Sequence, residues 1–192
     1  MMKKIDLNVL ALQDSLKEHK EIKSKLLSLI DNTKSHKEFN KDNYYGDSVN
    51  RLDWNYNLNF DREWVKFVSP YLQKKFDEFV NRLNYQSAEI KCMWFQQYIQ
   101  NDYHGWHIHG DNYTGVYYLE LPKDSPKTEL IDQKDIHKKI TINAKEGDIV
   151  IFPSFIIHRA PKVKSNVRKT IISFNINMNL IKSSIFSTID SL

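Results

Sequence analysis

Five short runs rich in β-branched and aromatic residues crowd the chain after Glu89: IKCMWFQQYIQ, TGVYYLEL, KKITINA, GDIVIFPS and RKTIISFNINM. Glycine, proline and polar turns separate them, and helical periodicity is nearly absent. Runs of this length and spacing predict an antiparallel sandwich or barrel. Gly105, Gly110, Gly115 and Gly147, four of the five glycines, fall in this half.

The preceding residues read differently. From Asn8 to Asp31, Leu10, Leu12, Leu16, Ile22, Leu26, Leu27 and Ile30 recur at near-helical spacing. A long polar and aromatic loop follows. A second helix is expected from an Asp61 N-cap, bent or broken near Pro70, with Leu72, Phe76, Phe79, Val80 and Leu83 as its apolar stripe. Such stripes need a partner surface, and the β-rich half supplies one. The expected organisation is a helical region with a loop over 1–89, packed on a β core over 90–192.

Composition narrows the class. The 28 Lys and Arg are interspersed with 24 Asp and Glu, for a net charge of +4, which argues against a nucleic-acid surface. No apolar run reaches the ~18 residues of a membrane span. The apolar start is broken by Asp6, Asn8, Gln13 and Asp14, a poor leader sequence. The one cysteine, Cys92, excludes an internal disulfide and fits a cytoplasmic (intracellular) protein. No feature sets an oligomeric state.

The chemistry is concentrated in YHGWHIHGD, Tyr103 to Asp111. In a strand, residues i and i+2 share a face, so His107 and His109 project together while Ile108 points away. The same holds for His109 and Asp111. A third metal ligand has to come from elsewhere, and His158, after the apolar GDIVIFPSFII, is the candidate. His19, His36, His104 and His137 read as surface or loop residues; the first, second and last lie in charged surroundings, and His104, one turn before the pair, has the cleft as its alternative place. Arg168 opens the last strand. Pointing into a barrel, it would need an anion, and its planar fork suits a carboxylate.

Histidine, x, acid or histidine, a distant histidine and then an arginine about ten residues on resembles the Fe(II)/2-oxoglutarate-dependent dioxygenases. The likeness spans Met93 to Met178 and is similar in order to the prolyl-hydroxylase-like branch. TGVYYLELP, GDIVIFPS and SFN together look most like oxygenases of this kind from phages and bacteria. The resemblance implies a double-stranded β-helix (jelly-roll, cupin-like) core with N-terminal helices packed on it, an α+β fold. It implies Fe(II), with 2-oxoglutarate as cosubstrate. It also implies oxidative decarboxylation with O2 to succinate and CO2, coupled to hydroxylation of a small molecule or peptide. Arg168 and Tyr118 would bind the distal carboxylate of 2-oxoglutarate, assisted by Tyr98 or Thr170.

One departure stands out. Counting to Thr114 and Tyr118, and back to Tyr98, favours His107, His109 and His158 as ligands, a histidine replacing the usual acid. The other register, His109, Asp111 and His158, restores the acid and shortens the loop before the strand. Two other readings stay open. A metal cupin without 2-oxoglutarate would use GDIVIFPSFIIH and HIH, but it lacks the first-motif glutamate and leaves Arg168 without a role. A non-catalytic jelly-roll module, such as a virion or carbohydrate-binding unit, is the other. Trp106, Tyr103, Tyr113 and the loop over 40–60 are candidates for the mouth of the site.

Overall fold

The computed structural model describes residues 8–42 and 44–189. Residues 1–7, part of the stretch weighed above as a leader, lie outside the described residues. In chain order the elements are β1 (Leu12–Ser15), α1 (His19–Asp31), β2 (His36–Phe39), β3 (Asp47–Leu52), a 3-10 turn (Trp54–Tyr56), α2 (Glu63–Leu83), β4 (Tyr85–Tyr98), β5 (Tyr103–His107), β6 (Tyr113–Glu120), β7 (Glu129–Ile131), β8 (Lys139–Thr141), β9 (Asp148–Pro153), β10 (His158–Ala160), β11 (Lys169–Ile181) and α3 (Ser184–Ile189).

The strands form one antiparallel sheet in the order β1-β9-β6-β11-β4-β3-β5-β10-β7-β8, with β2 added on β3. The sheet curls into a jelly roll. One wall is β1, β9, β6, β11 and β4, the facing wall is β5, β10, β7 and β8, and β3 bridges them. The longest pairing runs from Lys169 opposite Tyr98 to Ile181 opposite Tyr85.

Period-two alternation on the long wall feeds two cores. Ile172, Phe174 and Ile176 of β11, Met93 and Phe95 of β4, and Tyr117 and Leu119 of β6 face the helices. They meet Ile22, Leu26 and Ile30 of α1 and Trp64, Val68, Leu72 and Phe76 of α2. Tyr98, Val116, Tyr118, Phe152 and Ile171 turn the other way, into the barrel, where Leu130 and Ala160 of the facing wall close over them. Each such burial stabilises by about 1.5–3 kcal/mol for a large aliphatic or aromatic side chain. The helices pack on the sheet as their stripes predict.

The structure differs from expectation in four local respects. Residues 12–15 pair with β9 as an edge strand, so the first helix begins only at His19. The long loop holds β2 and β3, and β3 joins β4 to β5. α2 runs unbroken through Pro70, because buried side chains on both sides of it hold the helix to the sheet. Asp61 does not cap α2. It pairs with Lys66 at 2.8 Å, and the helix start is instead tied down by buried Asp53, which accepts bonds from Arg62, Trp64 Nε1 at 3.0 Å and the Phe95 N–H at 2.8 Å.

His19, expected on the surface, is buried between α1 and the sheet. Its Nδ1 lies 2.7 Å from the Tyr117 hydroxyl.

Candidate metal centre

Three imidazoles converge where the two walls of the jelly roll meet. His107 ends β5 and His158 begins β10, and antiparallel pairing sets them directly opposite each other. His109 arrives by a different route from the one its spacing suggests. The strand stops at His107, and His109 sits in the following turn, fixed by its N–H donating to Ser154 O at 3.0 Å. Ile108 points out to solvent.

One ring nitrogen from each of His107, His109 and His158 lies within 4.8 Å of the other two, and Nε2 of His109 is 3.3 Å from Nε2 of His158. Nδ1 of His107 is 2.8 Å from Gly105 O, and Nδ1 of His158 is 2.8 Å from Ile156 O. A carbonyl can only accept, so each Nδ1 carries the proton and each Nε2 presents a lone pair. Anchoring of this kind is usual for metal-bound histidine. Burial holds all three rings neutral, with His109 pushed down to about 3 and His158 to about 2. Neutral imidazole is the metal-binding form. Two bonds of about 2.1 Å at right angles place two nitrogens about 3 Å apart, close to the His109–His158 separation. The residues present therefore fit a divalent transition metal. Asp111 is not among the converging groups.

Gly105 is needed where it stands. A Cβ there would come within 2.7 Å of the Gly46 and Tyr44 carbonyl oxygens. That close approach lets the Gly105 N–H donate to Gly46 O and to Asp47 Oδ1, both at 3.0 Å.

Behind the histidines, the interior of the roll holds Tyr98, Thr128 and Ile171. The Tyr98 hydroxyl is buried without a hydrogen-bond partner among the described residues, and burial raises its pKa well above the ordinary value. The Tyr118 hydroxyl donates to Thr128 Oγ1 at 2.7 Å, and burial pushes it up to about 12.

The last strand departs from expectation by one residue. Arg168 is on the outside, half-exposed, with its guanidinium on Glu120 at 2.9 and 3.0 Å and on Asp31 at 3.2 Å. Thr170 shares that side, bonded to Glu120 and Gln97. Their face of β11 continues into Ile172, Phe174 and Ile176, which the helices cover. The inward cation is Lys169, 1% exposed. Its Nζ donates to Pro126 O at 2.8 Å, has no carboxylate partner among the described residues, and burial lowers its pKa to about 7.

His104 takes its alternative place, lining the cleft, and stacks on His107 at 3.9 Å between ring centroids. Its Nδ1 meets Gln96 Nε2 at 3.1 Å, and its Nε2 lies 3.4 Å from Asp47. Trp94 packs against His109 at 5.8 Å. The sequence reading passed over Lys169, Gln96, Trp94 and Asp47. Of the proposed mouth residues, the loop over 40–60 contributes Asp47, Leu52 and Trp54 to a cavity beside the histidines. Trp106 instead lies under Arg159, 4.4 Å away, and Tyr113 packs on Tyr85.

No family model and no curated protein matches the chain. Solved structures do. An oxidoreductase of the 2OG-Fe(II) oxygenase family from Burkholderia pseudomallei superposes with a TM-score of 0.72, covering 90% of this chain and 87% of its own at 8% identity. The fold is that of the 2OG-Fe(II) oxygenases. A viral collagen prolyl hydroxylase from Paramecium Bursaria Chlorella virus-1, solved as a 2OG complex, has a TM-score of 0.58, 18% identity, and coverage of 86% of this chain and 94% of its own. HygX from Streptomyces hygroscopicus, solved with nickel and 2-oxoglutarate bound, has a TM-score of 0.60 at 10% identity, covering 91% of this chain and 85% of its own. Within this oxygenase fold, the three histidines stand at the open end of the jelly roll and Lys169 is buried in its wall.

Proposed function

We propose that the protein is an Fe(II)- and 2-oxoglutarate-dependent dioxygenase that hydroxylates a small-molecule or peptide substrate. The observation that carries this reading is the pairing, in one jelly roll, of three convergent neutral imidazoles with a buried lysine that has no carboxylate partner among the described residues. A metal cupin that makes no use of a keto acid has no need of the second element.

His107, His109 and His158 would hold the iron through their Nε2 atoms. Bound there with 2-oxoglutarate and O2, the iron supplies the oxidation: one oxygen atom enters a substrate C–H bond, the other enters succinate, and CO2 leaves. The chain's own groups position the parts. Three neutral ligands leave both positive charges of the ion uncompensated, which favours a dianionic chelator over water. Lys169 would receive the distal carboxylate. The Tyr98 hydroxyl, held protonated by burial, would donate to the same group, and Tyr118 would join it only by turning its O–H away from Thr128 Oγ1. Burial of all three strengthens these contacts and makes them costly to lose. Arg168, engaged with Glu120 and Asp31 on the outer face, is not assigned to the keto acid.

The nearest test is turnover. Protein loaded with Fe(II) should convert 2-oxoglutarate to succinate in air above an iron-only blank, and His158→Ala should return it to the blank. Succinate formation at the blank level in the unmodified protein, across substrates, would favour the non-catalytic jelly-roll reading.

A further inference from the structure

Resting on the dioxygenase reading, we propose that its substrate carries a cationic amine or guanidinium group, of the kind found on a lysine or arginine side chain, and binds in the cavity beside the three histidines. The cavity measures about 310 Å³, room for one such side chain with its flanking atoms. His107 and His109 are among its lining residues, so an occupant lies beside the proposed metal position.

Its walls select for charge. Trp54 and Trp94 line it and meet edge to face at 4.5 Å, and of the two it is Trp54, 42% exposed, that is accessible to an occupant. A cation against an indole face is attracted by the ring quadrupole, best of all for tryptophan. Glu38 and Asp47 also line the cavity, and among the described residues no lysine or arginine does, in a chain whose net charge is +4. The partners the two acids have are weak: Glu38 is 3.9 Å from His36, and Asp47 accepts from the Gly105 N–H and lies 3.4 Å from His104. Glu38 of β2 and Asp47 of β3 stand on paired neighbouring strands, and burial first, then the Glu38 charge, pushes the Asp47 carboxyl up. A neutral or acidic occupant would leave both uncompensated, and an amine or guanidinium would answer both.

Binding can be read apart from turnover through tryptophan fluorescence. Nα-acetyl-arginine methylamide and Nα-acetyl-lysine methylamide would be titrated into the metal-free protein and, under argon, into the protein loaded with Fe(II) and 2-oxoglutarate. The corresponding citrulline and norleucine amides serve as neutral isosteres, and a short arginine-containing peptide separates a peptide source from a free one. At least one cation should bind about tenfold or more tightly than its neutral isostere, and Glu38→Gln should remove most of that preference. Asp47→Asn should act likewise, although it also touches the Gly105 contact. The exposed Glu38 position therefore carries the test, with the melting temperature confirming the fold. Equal binding of cation and isostere, or a preference that survives Glu38→Gln, would overturn the proposal. Preferential cation binding with no succinate formed would uphold it and count against the dioxygenase reading alone.

Discussion

The Lys169 ammonium lies 5.2 Å from the centroid of the Tyr98 ring, and the Tyr98 hydroxyl is buried without a hydrogen-bond partner among the described residues. A buried cation without a counterion and a buried donor without an acceptor share one need, which is an anion with free lone pairs. If a carboxylate answers it, Lys169→Ala should raise the 2-oxoglutarate requirement by roughly 30- to 1000-fold, from about 2–4 kcal/mol at ~1.4 kcal/mol per decade. Arg168→Ala should change it by less than about threefold, since that side chain is spent on a half-exposed surface pair. Succinate formed as a function of 2-oxoglutarate concentration checks both.

The same lysine sets a pH dependence. Its folded pKa is about 7 against 10.5 in the unfolded chain. Between those values the unfolded chain holds a proton that the folded chain has released, so stability rises with pH. Without metal and keto acid, the protein should gain on the order of 2 kcal/mol between pH 7 and 9 from this group. Lys169→Met should abolish the gain, as seen in denaturant midpoints. Affinity for 2-oxoglutarate should move the opposite way, weakening above pH 7 by up to about tenfold per unit, because binding must restore the proton.

The ligand register can be settled by two substitutions. His107→Ala should abolish stoichiometric Fe(II) binding, because it removes a neutral, anchored Nε2 from the converging set. Asp111→Ala should leave it intact, because that carboxylate is not in the set. Iron analysis of anaerobically loaded protein reads both, and loss of iron in Asp111→Ala would favour the His109, Asp111, His158 register.

The helical layer should prove integral to the jelly roll. Phe76 of α2 meets Phe174 of β11 at 4.7 Å between ring centroids, and both are fully buried. Phe76→Ala should cost about 3–5 kcal/mol, measured by urea unfolding. A cost below about 1 kcal/mol would mean that α2 is only loosely docked.

Much of this was legible in the chain. The β-rich runs after Glu89 became the strands of the jelly roll, and the HIH spacing with a later histidine located the cluster. The reasoning that brought His109 inward was nevertheless incomplete, because a turn held by Ser154 places it and not strand alternation. The parity of the last strand was misjudged, although the signal was present. Ile172, Phe174 and Ile176 are large and apolar, and alternate with Ser173 and Asn175. The helical stripes need that apolar face, which leaves Lys169, Ile171 and Ser173 for the interior. The loop over 40–60 was a candidate for the mouth, but its sequence did not single out Asp47 and Trp54, because the stretch is aperiodic and the pairing of β3 with β5 brings it to the histidines.

The most direct measurement is an anaerobic titration of 2-oxoglutarate into the Fe(II)-loaded protein, followed by visible absorption. A keto acid chelated to iron held by His107, His109 and His158 should produce a metal-to-ligand charge-transfer band that saturates at one equivalent per iron. The band should need far more 2-oxoglutarate in Lys169→Ala and be absent in His158→Ala. A protein that binds iron stoichiometrically yet shows no such band at any 2-oxoglutarate concentration would contradict the account and point to a metal cupin.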